Sequence, residues 1–314
     1  MSNNMMIMFR NRDIISILDF NKDELEELFR VAGLMENVAV HGTNILVGKI
    51  LGEVFFEPST RTRLSFQSAM YRLGGKVISL VSLSASSIVK GENLADTIRM
   101  IESYSDIIVI RHRIEGAAKL AAEISSKPII NAGDGTHHHP TQAMIDLYTI
   151  KKYRGCIDGL NIGVLGDLKY GRAANSFIYG LTLFKPNKIY LISPKSLRPR
   201  ERVLKFLDKI GINYDMYDDI KKVIKNIDVL YVTRIQKERF PHPAEYEAVK
   251  GSYRIDLKIL DNVKENLMIM HPLPRIDEIS LDVDNTPYAY YFKQAALGVP
   301  VRMALISLIL GVVK

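Results

Sequence analysis

The chain is 314 residues long, 47% hydrophobic and 25% charged, the composition of a folded globular protein rather than a disordered one. Its net charge of +7 comes from Lys and Arg scattered along the chain without an aromatic-basic stripe, so anionic small molecules suit it better than nucleic acid. A single cysteine, Cys156, excludes an internal disulfide and a multi-cysteine metal site and points to a reducing, cytoplasmic setting.

The apolar start, Met5 to Phe9, is too short for a secretory signal. Short aliphatic runs then alternate with segments of helical period, which predicts parallel sheets with crossover helices. Expected strands are Lys49 to Phe56, Lys76 to Val81, Asp106 to Ile110 and Pro128 to Asn131. Between them fit helices over Thr62 to Leu73 and Gly91 to Ser103. A long helical pattern from Pro140 to Tyr153 ends near Gly155, and a domain boundary is expected there. Five more strands follow: Asn161 to Leu165, Lys188 to Ile192, Asn213 to Tyr217, Asp228 to Val232 and Leu267 to Met270. A helix over Pro199 to Ile210 ends at Gly211, a suitable C-terminal cap. Gln236 to Asp256, with Pro241, Pro243 and Gly251, reads as a mobile loop. The apolar run Met303 to Val313 is shorter than the ~20 residues that span a bilayer and reads as a buried terminal helix. The fold class is therefore α/β, with two domains, each a parallel sheet flanked by helices.

Ligands of open parallel sheets bind beyond the carboxyl ends of the strands. The polar clusters fall there: Glu57 to Arg63, Arg111 to Arg113, Asn131 to Gln142, Gly166 to Arg172, Thr233 to Gln236, and His271 to Arg275. One interdomain cleft is expected to collect them. Ser59, Thr60 and Thr62 put hydroxyls at a helix start, whose unpaired N–H groups favour an anion, and Arg61 adds a fork matched to phosphate oxygens. Taken alone, the same residues also read as an ordinary N-cap. His137, His138 and His139 are adjacent and cannot all face one ion, so no metal site is expected. His139 and Gln142 suit donors aimed at a carbonyl oxygen. Arg172, Arg234 and Gln236 suit a carboxylate ligand, although a lone arginine is commonly a surface ion-pair partner.

The segments Phe56 to Arg63, His139-Pro140-Thr141-Gln142 and His271-Pro272-Leu273-Pro274-Arg275 resemble, in order and spacing, the aspartate transcarbamoylase catalytic chain. The resemblance extends to Lys90-Gly91-Glu92, Gly166 to Arg172, Thr233 to Gln236 and Tyr290-Tyr291-Phe292. It implies transfer of the carbamoyl group of carbamoyl phosphate to the α-amino group of L-aspartate, a step of pyrimidine biosynthesis, without metal or cofactor.

The resemblance further implies that residues 1–148, with helix 295–314 packing back onto them, bind carbamoyl phosphate and that residues 149–294 bind aspartate. Ser59, Thr60, Arg61, Thr62 and Arg111 would hold the phosphate; Thr62, Arg111 and His139 would polarise the carbonyl; Gln142 would take the amide. The Pro272 and Leu273 backbone would contact the reacting amines, and Arg172, Arg234 and Gln236 would hold aspartate. Ser86 and Lys90 would reach in from a neighbouring subunit of a homotrimer, Lys90 touching both substrates. Glu57 would pair with Arg172 and Arg239 to close the domains. A separate regulatory chain is left open, and neither nucleic acid nor membrane is implied.

One departure is Val89, where well-studied members carry a second lysine. Ornithine transcarbamoylase shares the first-half motifs, but its His-Cys-Leu-Pro is replaced by His271-Pro272-Leu273-Pro274, and Arg234 and Gln236 favour an anionic amino acid. A non-catalytic sensor of phosphate or an acidic amino acid is the third alternative.

Overall fold

The computed structural model describes residues 8–80, 91–240 and 242–313. It divides into two compact units, unit 1 comprising Met1–Ile145 with Leu297–Lys314 and unit 2 comprising Asp146–Ala296.

Unit 1 opens with helix α1 (Lys22–His41), whose capping box at Asn21 and Glu24 satisfies its first amides reciprocally. Strand β1 (Ile50–Phe55), helix α2 (Arg61–Arg72), β2 (Lys76–Leu80), α3 (Leu94–Tyr104), β3 (Ile107–His112), α4 (Ala117–Ile124) and β4 (Ile129–Asp134) follow. The sheet order is β2-β1-β3-β4, with every pairing parallel. Ile107 to Ile110 are all fully buried, as strands covered on both faces must be. The expected helix at Gly91 starts instead at Leu94, because Asn93 caps it through the Asp96 amide.

Helix α5 (Pro140–Arg154) carries the chain from one unit into the other. Unit 2 continues with β5 (Asn161–Leu165), α6 (Arg172–Leu181), β6 (Lys188–Ile192), α7 (Glu201–Ile210), β7 (Tyr214–Tyr217), β8 (Val229–Val232), α8 (Pro243–Glu247), α9 (Leu257–Leu260), β9 (Met268–Met270) and α10 (Tyr291–Ala296). The parallel order is β7-β6-β5-β8-β9. Gly211 caps α7 in the left-handed conformation, φ 76°, as its position predicts. The segment read as a loop from Gln236 holds a 3-10 turn (Lys237–Arg239) and α8, and it buries Val249 and Ile255.

The last described helix, α11 (Gly298–Ile309), returns to unit 1 and packs on α1 and α2. It belongs to an apolar helical stretch, Tyr291–Ile309, long enough to cross a membrane, of which 72% is buried inside the protein.

Candidate active site

In unit 1, β1 delivers the chain to α2 with Thr60 as the residue before the first turn. Thr60 is helical (φ −86°, ψ −60°) and makes no capping hydrogen bond. The ordinary N-cap reading therefore fails here: the side chain leaves the first-turn amides to another acceptor, the situation in which a helix start takes an anion. Thr62, one position into the helix, is buried at 7% exposure, whereas Arg61 is exposed.

Arg111 does not follow β3 but lies inside it. The β3–β4 register shifts between Ile110 and His112, and Arg111 sits in that irregularity, which re-aims its side chain. Its Nη1 donates to the Ala132 carbonyl at 3.2 Å, and its Nε lies 3.4 Å from the Glu57 carboxylate. Glu57, expected from the sequence to serve closure with Arg172 and Arg239, lies here against Arg111 and orients it.

The three adjacent histidines have separate tasks. His137 Nδ1 lies 3.6 Å from Asp134, the His138 amide donates to Asp134 at 3.1 Å, and His138 Nδ1 lies 3.5 Å from Ser16 Oγ. Burial pushes the Asp134 carboxyl up, but His137, Asn131 and the amides of Gly116 and His138 overrule it and hold it below its ordinary value. Among the described residues no group of three His, Cys, Asp or Glu is arranged to hold a metal. His139, 5% exposed, precedes Pro140 at the start of α5, and its carbonyl accepts the Gln142 amide at 3.1 Å. Ser86 and Lys90 lie outside the described residues.

In unit 2, Gly166 follows β5 with φ 132°, and a Cβ there would stand 2.3 Å from the Thr233 carbonyl; only glycine allows the two strand ends to meet so closely. Asp167 is fully buried and accepts the Tyr170 and Lys169 amides at 2.8 and 3.2 Å. Burial raises its carboxyl to about 6, against those amides, the Gln236 amide and the charge of Arg234. Asp167 thereby shapes the loop that leads to Arg172, the first residue of α6, while the Gly166–Thr233 approach brings that loop against the one bearing Arg234 and Gln236. Arg234 is held by Glu238 in a two-pronged pair, one prong at 3.0 Å. Pairing through Nη1 and Nη2 does not exhaust the five donors of a guanidinium.

The last cluster turns on His271. Its Nδ1 accepts the Leu273 amide at 2.8 Å and its Nε2 lies 2.7 Å from Glu278. Burial lowers the ring's pKa, which keeps Nδ1 an acceptor, so Nε2 carries the proton and donates to the carboxylate. The His271 amide donates to Gln294, whose own amide donates to Asp146, which also accepts the Tyr231 hydroxyl. This buried network fixes Leu273, which holds a positive φ of 57° before a cis bond to Pro274. Sequence reading had used only the backbone of Pro272 and Leu273. The sequence does not point to His271 and Glu278, which position that backbone, or to Asp167, which shapes the loop before Arg172; Asp167 and His271 stand within the family motifs, while Glu278 has no local signal.

The two parallel-sheet units agree with what the chain is similar to. Residues 12–152 match the model described as "Aspartate/ornithine carbamoyltransferase, carbamoyl-P binding domain" and residues 158–309 the corresponding "Asp/Orn binding domain". The aspartate carbamoyltransferase catalytic subunit of Thermofilum pendens is 59% identical over 302 residues, covering 96% of each chain. The solved catalytic subunit of M. jannaschii aspartate transcarbamoylase is 51% identical with a TM-score of 0.86, covering 94% of this chain and 96% of that one. The Trypanosoma cruzi aspartate transcarbamoylase solved with carbamoyl phosphate and aspartate is 37% identical with a TM-score of 0.90, covering 96% of each chain. With both halves matched and identity well above half along nearly its full length, the chain belongs to the aspartate/ornithine carbamoyltransferase family.

Proposed function

We infer that the chain is an enzyme that transfers the carbamoyl group of carbamoyl phosphate to the α-amino group of L-aspartate, giving N-carbamoyl-L-aspartate and phosphate. The observation that carries the choice of acceptor is the close meeting of two loops in unit 2, where a Cβ at Gly166 would stand 2.3 Å from the Thr233 carbonyl, so that the segment bearing Arg172 lies against the one bearing Arg234 and Gln236. Two arginines and an amide match a dicarboxylate, and ornithine, a cation at its side chain, has no partner in that set.

Carbamoyl phosphate already has a good leaving group, so the enzyme's task is to orient the partners and stabilise the oxyanion. The aspartate nitrogen attacks the carbamoyl carbon. Thr62, Arg111 and His139 donate to the oxygen that becomes negative, and Gln142 holds the carbamoyl amide. The C–O bond to phosphate then breaks, and the amides at the start of α2, with Ser59, Thr60 and Arg61, receive the departing dianion. The amine proton passes to the leaving phosphate, while the backbone at Pro272 and Leu273 orients the amine. No step requires a metal or cofactor.

Ser86 and Lys90 act from a neighbouring subunit of a homotrimer, a cytoplasmic enzyme of pyrimidine biosynthesis. Mixing an inactive Lys90→Ala chain with an inactive Arg111→Ala chain tests this: refolded mixtures regain part of the wild-type rate if sites are shared, and none if each chain is self-sufficient.

The deciding assay supplies carbamoyl phosphate with aspartate or with ornithine and measures both carbamoyl products. N-carbamoyl-aspartate alone is expected. Citrulline would reassign the acceptor, and binding without turnover would make the chain a sensor.

A further inference from the structure

We propose that unit 2 carries a second ligand site, apart from the Arg172, Arg234 and Gln236 set, that takes a nucleoside monophosphate. Numbered from its own first strand, the unit 2 sheet runs 3-2-1-4-5, all parallel. That order places a topological switch beside β5, and sheets of this order bind nucleotides in the crevice beyond the carboxyl ends of the strands around it. A cleft of about 570 Å³ opens on the β5–β6–β7 side of that switch, reached by Leu165 at the end of β5, Ile192 and Ser193 at the end of β6, and Asp218 just past β7, with no residue of β8 in its lining. Its volume lies within the range of small-molecule sites. None of Arg172, Arg234 or Gln236 lines it.

The lining is graded. Ile192, Ile220, Ile224 and Ile259 form apolar walls suited to the faces of a flat heterocycle. Ser193 is 2% exposed, and its Oγ has no hydrogen-bond partner. A buried hydroxyl left unpaired carries a desolvation cost that a ligand's ring nitrogen or sugar hydroxyl would remove.

At the rim stand Lys221, Lys258 and Arg254, all exposed. The rim carboxylates are otherwise engaged: Asp218 with Lys222 at 2.7 Å, Asp219 on the Lys221 amide at 2.9 Å, and Asp256 on the Ile259 amide at 3.1 Å. Asp219 and Asp256 keep their charge, so the rim is mixed, and the ammonium groups of Lys221 and Lys258, which make no ion pair among the described residues, are the ones left to meet a phosphate. The glycine-rich phosphate loop of dinucleotide sites is absent, its place taken by Gly166-Asp167-Leu168-Lys169-Tyr170-Gly171. A single phosphate held by side chains at the rim follows from that, rather than a dinucleotide.

Calorimetric titration of the full chain with AMP, UMP, adenosine and inorganic phosphate tests the site. It is run with saturating N-(phosphonacetyl)-L-aspartate, so that phosphate cannot report on the substrate site. At least one nucleotide is expected to bind, more tightly than adenosine, with no heat from inorganic phosphate. Ser193→Ala should weaken nucleotide and nucleoside alike by about fivefold, the loss of one hydrogen bond. Lys258→Glu, on the surface, should weaken only the phosphorylated ligand. The proposal is overturned if nucleotide binding disappears when the bisubstrate analogue is present, or if both variants bind as the wild type does.

Discussion

The Nε2 of His271 and the Oε1 of Glu278 are 2.7 Å apart in a fully buried pair, and the opposite ring nitrogen accepts the Leu273 amide. Glu278 therefore sets the tautomer that holds Leu273, part of the backbone proposed to orient the attacking amine. Replacing Glu278 by Ala leaves a buried Nε2 proton unpaired, at a cost of about 1–3 kcal/mol. The expected result is a lower Tm and a fall in kcat of at least about tenfold, with Glu278→Gln, which still accepts from Nε2, recovering most of both. An Ala variant with lower Tm but unchanged kcat would reduce Glu278 to a structural role.

Asp167 gives a pH signature. Burial raises its carboxyl to about 6 in the folded chain, from an ordinary value of 3.8. Because the folded state holds the proton more tightly, Asp167's contribution to stability is full below pH 3.8, falls as pH rises, and is lost above about 6. Asp167→Asn, whose carbonyl still accepts the Tyr170 amide, is expected to gain stability relative to wild type over that window, by at most about 3 kcal/mol. Denaturant melts of both proteins at pH 4 and pH 7 measure it, and a stability difference that does not change with pH would contradict the assignment.

For the oxyanion donors, Arg111→Lys keeps the charge but loses the fork that contacts both Ala132 and Glu57. A fall in kcat of about 10²-fold is expected, the scale of losing one preorganised donor. His139→Gln retains a donor, so its kcat should fall less, and any ionisation in the wild-type pH profile of kcat should persist in the variant. Disappearance of that ionisation would make His139, rather than phosphate, the base.

Arg234→Lys addresses the acceptor. A point charge replaces a planar fork, so the KM for aspartate should rise about tenfold or more while that for carbamoyl phosphate stays within about twofold. Steady-state kinetics with each substrate varied in turn separates the two.

Much of this was legible in the sequence because its signals are local. Ile107 to Ile110 read as a strand since a strand covered on both faces is continuously apolar, and Gly211 marked the end of α7 since few other residues accept its φ. The start of α2 reads in the sequence either as a place for an anion or as an ordinary N-cap, and the helical dihedrals of Thr60 count against the N-cap. What stayed hidden depends on partners distant in the chain. The place of Arg111 inside β3 is set by a register shift against β4, twenty residues away in sequence, which no periodicity in β3 encodes. Likewise Glu278 reads as a surface acid until the fold brings it against His271, and Glu53, a carboxylate in the middle of β1, fits a buried strand only because Gln67 and Ser79 donate to it.

Unit 2 is one uninterrupted stretch, Asp146–Ala296, whereas unit 1 is completed by α11, which is synthesised after it. On the ribosome the later half is therefore the first to have all its parts, and the earlier half waits with the face of α1 that α11 will cover still uncovered. The part of the apolar side of α1 that α11 covers is the surface that a chaperone would have to shield in that interval.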